Sequence, residues 1–189
     1  MLNQAVLFLL ETLTSLLAGA FLLRFYMQLR RAPFRNPLGN FLLAATDFAV
    51  KPLRRVIPGL LGWDWASLVA AWLTELALVS GIIALSGHEL ALPAALAGVS
   101  FMAAVKLLAL AVHMLIWIVV ITAIFSWVQP HHWINAFAGG LVQPLLRPLQ
   151  KVLPLVGNVD LSPLALILIL QLILMAPIAW LEQFAVRLV

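Results

Sequence analysis

The residues of this 189-residue chain best suited to chemistry are cations held in a fixed order. Lys51-Pro52-Leu53-Arg54-Arg55-Val56-Ile57-Pro58 is followed by Asp64 and an apolar run; Arg147-Pro148-Leu149-Gln150-Lys151-Val152-Leu153-Pro154 is followed by Asp160 and another. A constant offset of 96 residues aligns the two copies without a gap, with four of eight core positions identical and three conservative. Lys51, Arg54, Arg55, Arg147 and Lys151 are candidates to bind anionic lipid headgroups, phosphorylated ligands or an acidic partner face. Each juxtamembrane cation is worth ~1 kcal/mol near an anionic leaflet. The plainer alternative is that these charges only set membrane topology. Topology needs no proline bracket and no fixed order, so the retained pattern points to a shaped docking surface. Pro52, Pro58, Pro148 and Pro154 would structure the loops. Asp64 and Asp160 can cap the following helices or pair with the basic residues, and capping is the expected role.

A second set of polar residues lies within apolar runs. Glu75 and Gln171 are also 96 positions apart, each near the middle of its run. A charge at such depth costs ~2.5–3.5 kcal/mol on insertion scales and turns toward a protein interior. Two readings apply: a polar path for ions, or an interhelical hydrogen bond that sets packing register, typically worth ~0.6 kcal/mol. The second is favoured, because one carboxylate and one amide make a thin pathway. Glu11 and His113 sit at comparable depth and could meet. Haem ligation by His113 lacks a second histidine within a run, since His88, His131 and His132 all lie in connections. No metal site is evident around His131 and His132, and the absence of cysteine removes thiolate ligands and nucleophiles. With no phosphate loop, HExxH or GxSxG signature, the expectation is no catalytic residue, no cofactor and no metal: not an enzyme.

The elements that must position these residues follow from composition. Hydrophobic residues make up 65% and charged residues 10% of the chain, against roughly 45–50% and 25% in soluble domains. Four stretches reach the ~20 apolar residues that a membrane-crossing helix needs: about 5–28, 65–86, 107–128 and 161–181. The amino terminus, without a basic region and carrying Glu11, reads as a retained anchor rather than a cleaved signal. Residues 90–105 are apolar but short and contain Pro93 and Gly98. They read as an interfacial or re-entrant connector, with a single overlong third helix as the rival. Asn36 and Pro37 form a helix start, cap and first residue, followed by an apolar stripe that Pro52 should end. Asn135 should start the corresponding helix and Pro144 interrupt it.

Of the eleven Lys and Arg residues, six fall between Arg30 and Arg55. By the positive-inside rule the loops 29–64 and 129–160 are cytoplasmic and both termini are periplasmic. The basic balance suits an anionic lipid surface, and no nucleic-acid partner is expected. The predicted fold is all-α: four transmembrane helices as two tandem parallel-repeat hairpins, with amphipathic interfacial helices in both cytoplasmic loops. The halves are residues 1–89 and 106–189, joined by 90–105.

Particular residues carry a resemblance. Asn36-Pro37-Leu38-Gly39, Thr46-Asp47, the 51–58 box, Ser126-Trp127, the 147–154 box and Asp160-Leu161-Ser162-Pro163 resemble the YggT (YlmG) family of small bacterial inner-membrane proteins. The second half departs from the pattern at Val142-Gln143, where the Thr-acid pair would recur, and the first at Asp64-Trp65-Ala66-Ser67. The resemblance implies an integral inner-membrane protein without established enzymatic activity. Its relatives are linked to osmotic-stress tolerance, cell-division gene neighbourhoods and, in plastids, cytochrome maturation and nucleoid distribution. The expected function is a scaffold or assembly factor that engages anionic membrane lipids and another integral membrane or division protein. A homo-oligomer is compatible with this. The alternative is a small channel or ion-flux modulator.

Overall fold

The computed structural model describes residues 2–59, 62–85, 94–129, 132–153 and 160–188. Regular structure among them is helical throughout: α1 (Leu2–Leu29), α2 (Pro37–Val56), α3 (Trp65–Leu85), α4 (Ala94–Val128), α5 (Trp133–Val152), α6 (Ser162–Ile173), a π-helical stretch (Leu174–Ile178) and α7 (Ala179–Val186). Four segments are long and apolar enough to cross a membrane: Gln4–Leu29, Trp65–Leu85, Leu96–Ser126 and Ser162–Val186. Large apolar side chains such as Leu13, Leu16, Trp117, Leu164 and Leu172 are each more than half exposed. In water every Å² of that surface would cost ~25 cal/mol; in hydrocarbon it costs nothing, as a multi-pass membrane protein requires.

The chain forms two compact units, residues 1–111 with 178–189, and residues 112–177. In the first, α1 packs against α3 and α2 folds onto both. In the second, α5 packs on α6. These units follow packing, and their limits differ from the halves drawn by sequence repetition.

Residues 94–105 do not form a separate connector. They open α4, which continues to Val128 over 35 residues, the overlong third helix left as the rival. At 1.5 Å per residue it is ~52 Å long, well beyond the ~30 Å hydrocarbon core. Gly98 does not stop it, because one interior glycine costs only ~1 kcal/mol and no proline follows before Val128. Residues 90–93 lie outside the described residues.

The start of α2 has its physical reason in three residues. The Asn36 side-chain oxygen accepts from the Gly39 amide at 2.7 Å, and its Nδ2 donates to the Pro33 carbonyl at 2.8 Å. Pro37 opens the helix, where a missing amide loses nothing. A Cβ at position 39 would overlap the Phe34 backbone, so glycine is what fits. Before this, α1 closes in a Schellman turn: Ala32 N–H bonds the Met27 carbonyl at 2.8 Å, Arg31 N–H bonds that of Gln28 at 3.0 Å, and Arg31 sits at φ 53°.

Two proline expectations are corrected. Pro52 does not end α2, which runs on to Val56, and Pro144 and Pro148 both lie inside α5. An interior proline costs ~3 kcal/mol in an isolated helix, and here each helix is held by a buried face: Leu42, Thr46 and Val50 in α2, Leu141, Val142 and Leu146 in α5. Nor does Asn135 start α5. The cap is His132, whose Nδ1 accepts from the Ile134 amide at 3.3 Å. Pro177, by contrast, does disturb its helix, falling within the π-helical stretch between α6 and α7.

Candidate functional site

A cationic side chain is buried toward the carboxyl end of α1. Arg24 is 3% exposed, within a largely apolar helix, and is tolerable there only if its charge is met. Its Nη1 donates to the Thr46 hydroxyl at 2.6 Å and to Asp47 Oδ1 at 2.8 Å, both on α2. Thr46 is fully buried, and its hydroxyl donates in turn to the Leu42 carbonyl at 2.5 Å. Arg24 Nε stands 3.8 Å from Asp64 Oδ2, at the entry to α3. One guanidinium thus ties α2 and the start of α3 to α1.

Asp64 is the second centre. Only 2% exposed, it receives both arms of the Arg54 guanidinium, at 3.1 Å from Nε and 2.6 Å from Nη2, and the Ser67 hydroxyl at 2.5 Å. This fork is the strong geometry for a carboxylate. Arg54 also reaches Gln28 Oε1 at 3.2 Å, and Lys51 pairs with Asp47 at 2.8 Å. Burial pushes the Asp64 carboxyl up. The Arg54 and Ser67 hydrogen bonds, with the charges of Arg54 and Arg24, outweigh this and hold it below the usual carboxylate range. Asp47 is likewise lowered, first by its bond from Lys51; burial opposes this, and the bond and charge of Arg24 add to the lowering. The Arg54 guanidinium is raised, chiefly by its bonds to Asp64.

The Asp64 carboxylate takes the other role expected for it, pairing with the basic residue Arg54. Asp160 stands one residue before the α6 N-cap, Leu161, which has no side-chain cap bond. Asp160 Oδ1 accepts from the Ser162 amide at 2.8 Å at the head of α6, while Oδ2 accepts from Gln150 at 2.8 Å. The two loops keep a 150/160 or 54/64 bridge, ionic in one and neutral in the other. At the positions 96 residues after Arg24, Thr46 and Asp47 stand Val120, Val142 and Gln143. The cation and both of its acceptors on α2 are absent together, and Val142 is fully buried.

The remaining candidates separate cleanly. Arg54 is committed to the fold through Asp64, whereas Arg55, Arg147 and Lys151 are exposed and, among the described residues, form no ion pair. Lys51 is exposed but partnered. Pro58 follows the end of α2, and Pro154 and His131 lie outside the described residues. Glu75 is buried at 3% exposure while Gln171 is exposed, so the pair do not share one environment. Glu11 and His113 are both exposed on their own units. No group of three or more His, Cys, Asp or Glu residues able to hold a metal occurs among the described residues.

Sequence reasoning passed over Arg24, Ser67 and Gln28 and gave Thr46-Asp47 no role. A signal was present. Arg24 lies inside an apolar run, and the acids next along the chain at that end are Asp47 and Asp64. Electroneutrality in a low-dielectric setting demands such a pairing.

The CCB3/YggT family profile matches residues 3–84 and again residues 101–181. An uncharacterized protein of Pseudomonas aeruginosa is 38% identical over 174 residues, covering 91% of this chain and 87% of that protein. The uncharacterized protein YggT of Escherichia coli K12 is 35% identical over 168 residues, covering 88% and 85%. A Vibrio alginolyticus relative, also uncharacterized, is 34% identical over 166 residues, covering 87% and 88%. No solved structure matches the chain. The doubled profile match over most of the chain, together with four apolar helices, establishes that this protein belongs to the CCB3/YggT family.

Proposed function

We propose that this protein is a non-enzymatic scaffold or assembly factor of the bacterial inner membrane, engaging anionic lipid and a membrane or division partner through α2 and α5. In this reading the halves are tandem hairpins of one orientation, with the termini periplasmic and α2 and α5 in the cytoplasmic headgroup layer. The observation that carries it is the pairing of free cations with exposed apolar side chains on each helix. On α2, Arg55 accompanies Phe41 and Phe48, both 67% exposed; on α5, Arg147 and Lys151 accompany Trp133 and Val152. Basic residues beside an apolar face are the chemistry of a helix lying on an anionic bilayer. The Arg24–Asp64 network supports it, because a docking helix must be held at a defined angle.

A photoreactive residue at Val56 should capture a discrete protein in intact cells. Arg55→Gln, Arg147→Gln and Lys151→Gln combined should reduce that adduct at least tenfold without lowering the amount inserted. An undiminished adduct, or none beyond lipid, removes the scaffold reading. The choice avoids Arg54, whose loss would disturb the fold.

A second reading, a channel or ion-flux modulator, is favoured by Glu75, a carboxylate buried in the middle of a membrane-length helix. In reconstituted vesicles Glu75→Gln should then alter ion flux by several-fold. Equal flux from protein-free and wild-type vesicles eliminates this option.

A further inference from the structure

Two residues of opposite charge type lie mid-span in the first unit, on helices that pack together. Glu75 is the eleventh of the 21 residues of α3. It belongs to a stripe of one residue per turn, Ser67, Ala71, Glu75 and Val79, every member of which is buried. Lys106 is the eleventh residue of the α4 span Leu96–Ser126 and is half-buried. The helical rise places it ~15 Å into that span, near the middle of a ~30 Å hydrocarbon core. Trp72 Nε1 holds α4 against α3 by donating to the Ser100 carbonyl at 3.3 Å.

Among the described residues no hydrogen bond and no ion pair reaches the Glu75 carboxyl, although the charge of Lys106 acts on it. Asp64 is the contrast: that carboxylate is as deeply buried but receives a forked guanidinium and a hydroxyl. A carboxylate shut from water without donors has lost its hydration for nothing, and taking up a proton removes that cost. The other ionisable groups on the packed elements stand elsewhere. On α1 they are Glu11, which is exposed, and Arg24 and Tyr26 toward the carboxyl end; on α2 they are Asp47, Lys51, Arg54 and Arg55. Arg24, Asp47 and Arg54 gather around Asp64, which Ser67 bonds ~12 Å before Glu75 along α3. His113, further along α4, is exposed, and Glu182 and Arg187 lie on or just after α7, which meets α4 through Phe184 and Phe101.

The duplication drops both members together. At 96 residues after Glu75 stands Gln171, the uncharged isostere of a protonated glutamate, and at 96 before Lys106 stands Leu10.

We infer that Glu75 is a proton-binding site inside the bilayer, holding its proton as the neutral acid and releasing it under the influence of the Lys106 charge. The site rests on the ion-flux reading for its use and names the ion. Intramembrane carboxyls that face a protein interior are the residues from which proton relays are built.

The test uses the full chain in vesicles treated with dicyclohexylcarbodiimide, an apolar reagent that reacts with the unionised acid. Its central carbon bonds the carboxyl oxygen while the proton passes to nitrogen, and acyl migration then gives a stable N-acylurea with no leaving group. The Glu75 peptide should carry this adduct at neutral pH, and the adduct should decline tenfold or more in alkali. In Lys106→Leu, and separately in Lys106→Gln, the decline should begin ~1 pH unit higher or more, because the cation that favours ionisation is gone. Infrared difference spectra of wild type minus Glu75→Gln need neither reagent access nor a Lys106 variant, and should show the carbonyl stretch of an unionised carboxyl. A Glu75 with no adduct and no such band is permanently ionised, and the inference fails. A decline at the wild-type pH in both Lys106 variants overturns it equally. Proton uptake into the vesicles, read with an enclosed pH dye, addresses ion flux separately. An adduct without uptake rejects the ion-flux reading and keeps the site, whereas uptake with neither adduct nor band rejects the site alone.

Discussion

Arg24→Val should lower stability by about 3–5 kcal/mol, the range for removing one partner from a buried ionic pair. The substitution leaves the fully buried Thr46 hydroxyl without its donor, Asp47 with Lys51 as its remaining partner, and Asp64 with one cation fewer. The sequence contains its own rescue. Thr46→Val and Asp47→Gln added to Arg24→Val reproduce the residues found 96 positions later, Val120, Val142 and Gln143. Replacing all members removes the unmet polar groups rather than exposing them, so the triple variant should recover much of the loss. A coupling of ~1–3 kcal/mol is expected between groups in one network. Thermal unfolding in detergent, with proteolysis in the 30–36 loop as a local readout, checks both. A single variant as stable as wild type, or a triple variant that falls by the sum of its parts, would show that the network does not hold α2.

Asp64→Asn should cost a similar ~3–5 kcal/mol, because a 2% exposed carboxylate anchors the Arg54 fork and faces Arg24. Asp160→Ala should cost only ~1 kcal/mol, since it gives up hydrogen bonds from the Ser162 amide and the neutral Gln150 amide but no ion pair. Folding lowers the Asp64 and Asp47 carboxyls below their unfolded values, so their stabilisation is fully present above the unfolded pKa near ~4. It is lost as pH falls through the folded values. Stability should therefore be flat from neutral pH to about 5 and fall steeply below about 4. Asp64→Asn should start lower and lose much of that acid sensitivity. An unchanged acid profile in this variant would mean that Asp64 is not the titrating group.

The spans were legible because hydrocarbon solvent imposes a simple rule on composition: about twenty apolar residues per crossing. The start of α2 was legible because Asn36, Pro37 and Gly39 act over three residues, within reach of a local rule. Misreadings arose where local rules meet packing. Pro52, Pro144 and Pro148 are helix breakers in isolation, yet each helix has a buried face to hold it. The 90–105 stretch reads as a connector from its proline and glycine, although beyond Pro93 nothing in it outweighs helix propagation into α4. Glu75 and Gln171 seemed a matched pair from their spacing. Spacing does not report which way a side chain faces, and one is buried while the other is exposed.

The sequence alone determined that this chain has four stretches long and apolar enough to cross a bilayer and repeats a basic proline-bounded box. Those properties depend on composition and order, which solvent and local propensity read directly. Tertiary structure decided which cations are free. Arg54 and Arg55 are neighbours of the same charge, yet one is clasped by Asp64 ten residues along and the other is open. Their difference comes from a helix rotating successive residues by about 100°, so that one faces α3 and the next does not. Where α3 begins relative to α2 is set by long-range packing around Arg24, and no window of sequence contains that information.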